Sequence, residues 1–225
     1  MPTILTHAVV AVGLARLLPK PLPVAVSLLG AGVAILPDVD VLAWPLGLAR
    51  DSAWAHRGLT HSLPAAAVTA AALALAARRW IGVGTPLLAA YLLAAMASHG
   101  LLDAATNGGW GVAFWAPFDM ERHFFAWRPV EVSPIGWSFV GRRGLAVLWS
   151  ELRWIWLPLA AVITTVEVVR SEPKASGSAK RAEGERSEQG NAVETTADRQ
   201  PLTDHRRRTA PDRGRARIAA SEGLD

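Results

Sequence analysis

Four short fragments hold most of the side chains that could do chemistry: THAVVAVG, LPDVDVLAW, HRGLTHSLP and SHGLLDAATNGG. They supply His7, Asp38, Asp40, His56, His61, His99 and Asp103. The only other histidine before residue 171 is His123, and the other acidic groups there are Asp51, Asp119, Glu121, Glu131, Glu151 and Glu167. Scarce ionisable groups framed by apolar residues need a reason, because burying a lone charge costs several kcal/mol or forces neutralisation. A divalent cation supplies the compensating charge.

The spacing suits that chemistry. His99 and Asp103 stand four apart, so on a helix they share a face and can reach one cation. Asp38 and Asp40 form a D-x-D pair after the helix-ending Pro37. On an extended segment both point the same way, and two neighbouring carboxylates favour a metal between them. His56 and His61 bracket HRGLTHS. Within it, Arg57 suits a bidentate grip on phosphate or carboxylate, and Gly58 permits a turn or a close backbone approach. The chain has no cysteine, so disulfides and thiolate zinc sites are excluded. A mixed His/Asp donor set fits zinc first, then manganese or iron, rather than calcium. Asn107, Asp119 and Arg122 are weaker site candidates, and His123 is expected to line a loop.

The elements that must position these groups are apolar. The chain has 225 residues, 51% of them hydrophobic, with mean hydropathy +0.24. Five apolar runs cover 3–18, 22–37, 62–77, 85–102 and 153–170. They are short for spans of about 20 residues, so buried helices of a soluble all-α protein compete with a membrane reading. PAAAVTAAALALAA and PLLAAYLLAAMA favour the membrane, since they lack a charged face and are rich in small residues. The ten tryptophans cluster at run ends or between runs, as interfacial anchors do. The expected fold is an all-α polytopic helical membrane protein with four or five short spans. Pro23 opens the second run, and Ser62 with Pro64 and Thr85 with Pro86 read as helix starts. Residues 103–152 read as an irregular loop region with short strands.

Residues 171–225 form a second, polar region with 11 Lys+Arg against 10 Asp+Glu and no Trp, Phe, Tyr or Met. That composition predicts a disordered, solvated tail rather than a dedicated nucleic-acid arm, despite a pI near 10.3. The membrane-embedded domain is then 1–170. If its first four runs alternate across the bilayer, all seven His and Asp side chains fall on one side, with Arg16, Lys20, Arg78 and Arg79 on the other. The positive-inside rule makes the Arg16/Arg78 side and the tail cytoplasmic, and the site extracytoplasmic.

The series H…LPDVD…HRGLTHS…SHGLLDAATNGG resembles the YdjM-like family of LexA-regulated, membrane-bound, metal-dependent hydrolases, over about residues 1–170. The order His, Asp, His, then H-x-x-x-D is also similar to that of zinc-dependent phospholipase C and nuclease P1 enzymes. Their further downstream His/Glu ligands have no clear counterpart in this chain. The family resemblance implies a helical inner-membrane protein that is a hydrolase. The residues point to His7, Asp38, His61, His99 and Asp103 as ligands of a divalent transition metal. Asp40 is expected as general base or second ligand, His56 as ligand or proton shuttle, and Arg57 as holder of developing negative charge. The partners expected are membrane lipids and a small-molecule or lipid ester, with no specific nucleic acid. Two other classes remain at this point, a non-catalytic metal-binding scaffold and an ion-coupled transporter. Apolar helix centres speak against the transporter.

Overall fold

In a computed structural model the chain is described over residues 1–43, 47, 52–134, 136–171 and 186. Almost all of the expected polar tail lies outside the described residues. Among the described residues the fold is all-helical. Met1–Ser171 form one unit, and three helices are long and apolar enough to cross a membrane.

Helix α1 (Ile4–Leu17) starts where Thr3 accepts from the Thr6 N–H. Helix α2 (Val24–Ile35) begins after Pro23. Pro37 does not end helical structure, contrary to the sequence expectation. Proline lacks the N–H that an α ladder needs, and the chain continues as a 3-10 helix over Leu36–Ala43. Together these pieces make the first long apolar segment, Val24–Leu42.

Helix α3 (Leu63–Ala77) is capped by Ser62, which accepts from the Ala65 N–H, with Pro64 in the first turn. Helix α4 (Thr85–Ala104) starts differently from expectation. Its N-cap is Gly84, and Thr85 is already helical. At 20 residues it is about 30 Å long, which matches the hydrocarbon core.

The region 103–152 also departs from expectation. It holds no strand among the described residues, only isolated bridges pairing Thr106 with Val130 and Val112 with His123. Its glycine- and proline-rich chain is stitched by short pairings, such as the two hydrogen bonds exchanged by Val112 and His123, instead of a ladder. The last helix begins earlier than the apolar run suggested. It runs from α5 (Arg142–Glu151) through a π segment, Leu152–Trp156, into α6 (Leu157–Ser171). Pro158 accounts for the π segment. It has no N–H to give, its ring crowds the carbonyl one turn back, and the ladder relaxes by bonding Leu157 N–H to Leu152 O.

Helix α4 packs against α1, α2 and α3, so it is the central helix of the bundle. Small residues make the close contacts: Ala11, Ala15, Ala34, Ala66, Ala70, Ala74 and Ala95 are all buried. Gly30 is required by Tyr91, since a Cβ there would fall 2.0 Å from the tyrosine oxygen. That hydroxyl donates toward Ala11 O at 3.1 Å and Ser27 O at 3.3 Å, tying three helices at one point. The last helix lies along α1 in the same sense. Glu151 holds the N-terminal end of α1 through Thr3 and Thr6. Arg170 caps its C-terminal end, donating to Arg16 O, Leu17 O and Leu18 O at 2.9, 2.9 and 2.6 Å.

Candidate metal centre

The bundle brings the expected side chains to one end. His7 comes from the first turns of α1, and His99 and Asp103 from the last turns of α4. Asp38 and Asp40 come from the 3-10 turn after α2, and His56, Arg57 and His61 from the connection into α3. On a 3-10 helix with three residues per turn, positions i and i+2 point in different directions. Asp38 and Asp40 therefore do not act as the parallel pair expected of an extended segment. Asp38 faces His99, with Oδ1 3.3 Å from Nε2. Asp40 faces the HRGLTH loop.

Backbone geometry in that loop is unusual. Arg57 has φ +67°, a left-handed conformation that costs a non-glycine residue on the order of 1 kcal/mol. Gly58 has an ordinary φ of −89° but meets the chain closely, since a Cβ there would lie 2.3 Å from Ala53 O. Gly100, beside His99, lets the loop settle on α4, because its Cβ would fall 2.8 Å from His61 O.

Hydrogen bonds fix the tautomers of two histidines. His99 Nδ1 lies 2.7 Å from Ala34 O. A carbonyl only accepts, so Nδ1 carries a hydrogen, and in the neutral ring Nε2 keeps its lone pair. His61 Nδ1 lies 3.0 Å from Asp40 Oδ2, and Thr60 Oγ1 donates to the same carboxylate oxygen at 2.6 Å. His61 therefore also presents Nε2 as an acceptor. The two Nε2 atoms face each other 3.0 Å apart. In two neutral rings the lone pairs would repel at that separation, and a proton or a cation between them removes the repulsion. Two imidazole ligands of one tetrahedral ion with bonds of about 2.0–2.1 Å would stand close to that distance.

The surrounding donors are equally unsatisfied. Both nitrogens of His7 and all four carboxylate oxygens of Asp38 and Asp103 are buried without a hydrogen-bond partner. His7 stacks on His99 with ring centroids 3.7 Å apart, and its Nε2 is 3.7 Å from Asp103 Oδ1. His61 Nε2 is 3.6 Å from Asp103 Oδ2 and 3.8 Å from Asp38 Oδ1. Arg57 Nε lies 2.8 Å from Asp103 Oδ2. Distance makes this an ion pair, but the N–H is not aimed at the oxygen, so Asp103 still counts among the unsatisfied groups. Ligand atoms of His7, Asp38 and His99 all fall within 4.8 Å of one another, as do those of His61, His99 and Asp103, and of Asp38, His56 and His61. This donor set fits a divalent cation. Burial depresses the His61 pKa, with the Asp40 hydrogen bond opposing it, which favours the neutral, ligating form.

Asp40 and Arg57 are engaged differently from the ligand-type residues. Asp40 Oδ1 is 2.6 Å from His56 Nδ1, and Oδ2 accepts from Arg57 N as well as from the His61 side. That is the arrangement of a carboxylate orienting histidines. The Arg57 guanidinium, expected above to hold an anion, donates to Gly108 O, Trp110 O and Thr106 Oγ1 besides its ion pair with Asp103. Three of its five N–H donors are thereby used within the protein, and Nε faces Asp103. Asn107 also serves the loop, accepting from Val132 N at 2.9 Å. Asp119, Glu121 and His123 form a separate, largely exposed group, and His123 pairs through its backbone with Val112.

Sequence reasoning missed Thr60 and Glu151. Thr60 precedes His61 and bonds its partner Asp40, a role its hydroxyl type permits but does not announce. Glu151 is fully buried and accepts from Thr3 Oγ1 and Thr6 Oγ1, each at 2.7 Å. Its one signal was a lone acid at the edge of an apolar run.

Helices of this length and polarity, converging on a buried His/Asp cluster at one end, define a multi-pass helical membrane protein with a candidate metal centre. The chain belongs to the YdjM inner membrane protein family, whose model matches residues 1–173. Inner membrane protein YbcI of Escherichia coli (strain K12) is 39% identical over 161 residues, covering 70% of this chain and 92% of that relative. No solved structure matches. The protein is accordingly an inner-membrane protein.

Proposed function

We propose that this protein is a metal-dependent hydrolase acting on a phosphoester of a lipid or envelope molecule, with zinc as the first choice of divalent cation. The observation that carries this reading is the pair of His61 and His99 Nε2 atoms facing each other at 3.0 Å. Only a proton or a cation between them removes the repulsion, and three further unsatisfied side chains surround the same point. His7, Asp38, His61, His99 and Asp103 would hold the ion.

A bound divalent cation supplies Lewis acidity toward the scissile group. The chain's own residues do the rest. Asp40 holds His56 through Nδ1 at 2.6 Å, orienting the imidazole that would receive and return a proton. His56 is the histidine of the cluster best placed for this, being only partly buried. Arg57 orients Asp103 and fixes the 106–110 turn against the loop. The lipid or envelope class is supported by the site's place at the ends of membrane helices, beside connections that expose Trp54, Trp115 and Phe118.

The test pairs metal analysis of the purified protein with a panel of phosphodiesters and phospholipids, with and without chelator. Stoichiometric zinc and chelator-sensitive turnover are expected. Bound metal without turnover on any ester would leave a metal-binding scaffold.

A further inference from the structure

The Arg57 guanidinium is occupied within the protein, so a cationic group for an anionic substrate must be sought elsewhere. Arg122 has the required features. It sits on the connection after α4, where Nη1 donates to His56 O at 3.0 Å and Gly111 O at 3.3 Å. Those bonds place it on the backbone of the histidine that pairs with Asp40. Nη2 is buried and has no hydrogen-bond partner. Among the described residues no carboxylate comes within ion-pair distance of Arg122. Its guanidinium carbon lies 5.7 Å from the centroid of the Trp110 ring, a cation–π contact that braces the plane of the fork.

A guanidinium that stacks, bonds only to carbonyls and keeps one donor nitrogen unused is oriented but not neutralised. Burial lowers its pKa, and the neighbouring charge of Arg57 adds to that, while Asp40 opposes it. Such a group gains most from an anion that can accept from Nη2. The aromatic side chains nearby in sequence, Trp110, Trp115 and Phe118, are all exposed. They would seat an acyl chain or the membrane interface next to the anion.

We propose that Arg122 binds the phosphate of the substrate, through Nη2, at the mouth of the His/Asp cluster. This rests on the hydrolase reading for its catalytic meaning, but anion binding by Arg122 can be measured apart from it. The shared chemistry is a phosphate group, from a lipid headgroup or from free phosphate.

The full chain is purified in a phosphate-free maltoside detergent. Inorganic phosphate and dihexanoyl phosphatidate are titrated calorimetrically, before and after chelator treatment, into wild type and Arg122→Gln. In chelator-treated protein the substitution is expected to weaken phosphate binding about tenfold or more, the range of one charge-assisted hydrogen bond. Melting temperature and metal content of Arg122→Gln are expected to stay near wild type. Equal phosphate affinity in the two proteins would overturn the proposal and leave Arg122 as a staple of the His56 loop. If Arg122→Gln melts early, Arg122→Lys replaces it. Lysine keeps the charge but not the fork, so weaker binding supports the proposal and unchanged binding overturns it. Tighter binding of phosphatidate than of inorganic phosphate assigns the site to a lipid headgroup, and equal binding assigns it to free phosphate. A protein that binds phosphate through Arg122 but holds no metal would remove the hydrolase reading and keep this one. Metal binding with Arg122-independent phosphate affinity would do the reverse.

Discussion

His61 and His99 point their Nε2 atoms at each other across 3.0 Å, while each Nδ1 is held from behind, one by Asp40 and the other by the Ala34 carbonyl. The two rings come from parts of the chain 38 residues apart. Their partners come from the two halves of one kinked segment, the α2 helix and its 3-10 continuation. The ligand-type side chains of a candidate metal centre and their supports are thus assembled by four helix ends at once. This explains why such polar groups persist in so apolar a chain.

Metal retention should depend on the α4 pair. The double variant His99→Ala, Asp103→Ala is expected to lose the ion held by the wild type, read by plasma mass spectrometry. Chelation should also lower the thermal midpoint, since an ion at 100 times its Kd stabilises the native state by about 2.7 kcal/mol. Stoichiometric metal in the double variant would move the centre elsewhere.

Arg57→Lys tests the buried network. Lysine keeps the charge but cannot reach Asp103, Thr106 and the Trp110 carbonyl together. We expect a loss of stability of about 3–5 kcal/mol, as for breaking a buried charged pair, with weakened metal binding because Asp103 loses its ion-pair partner. Wild-type stability and metal content with turnover alone abolished would return Arg57 to the role of substrate clamp.

Asp40→Asn tests the support of His61. The asparagine amide would place a donor against the Thr60 hydroxyl or a histidine N–H, where the carboxylate now accepts. Metal affinity should drop about 10–100-fold, the usual effect of removing such a partner. Competition with a chromogenic chelator measures it, and an unchanged affinity would mean that His61 is oriented by packing alone.

Much of this was legible in the sequence because the ligand-type residues are scarce and periodic. His99 and Asp103 at i, i+4, and the four fragments at alternating run ends, required only helices and a bilayer to converge. The orientation of Asp38 against Asp40 was not legible. It depends on Pro37 converting an α-helix to a 3-10 turn instead of stopping it, and both outcomes follow prolines in helices. The engagement of Arg57 was hidden for a different reason. Its acceptors are backbone carbonyls of Gly108 and Trp110, and no side-chain pattern marks a carbonyl that turns inward. The strands expected in 103–152 do not form because pairing there stops at isolated bridges, Thr106 with Val130 and Val112 with His123, among glycine-rich turns.

Acidification should loosen the centre. Burial holds the His61 pKa below its ordinary 6.5. The unfolded chain therefore takes up a proton, as pH falls through 6.5, that the folded chain resists. Stability from this group is complete above that pH and declines below it. Metal affinity should fall in the same direction, because only neutral imidazole ligates. Thermal midpoints of chelator-treated protein between pH 7.5 and about 5 should decrease, with a shallower slope in His61→Asn. A midpoint that rises on acidification would contradict the assignment.

Orientation follows from the far end of the bundle. Arg16, Lys20, Arg78 and Arg79 lie in its short turns, and Arg170 is tied to the carbonyls of Arg16, Leu17 and Leu18. That contact puts the end of the last helix on the same side as the end of α1. Positively charged short connections stay in the cytoplasm. The opposite end carries Arg57, Arg122, Arg128, Arg142 and Arg143, but over longer connections where the rule is weaker. We therefore expect the Arg16/Arg78 side to be cytoplasmic and the His/Asp cluster to open toward the other face of the inner membrane. Reporters fused after Arg79 and at Asp225 should both give cytoplasmic signals. Periplasm-active phosphatase at both positions would invert the protein and put its chemistry inside the cell. Opposite signals at the two positions would mean that the helix from Arg142 to Ser171 does not cross the bilayer, despite a length of 30 residues.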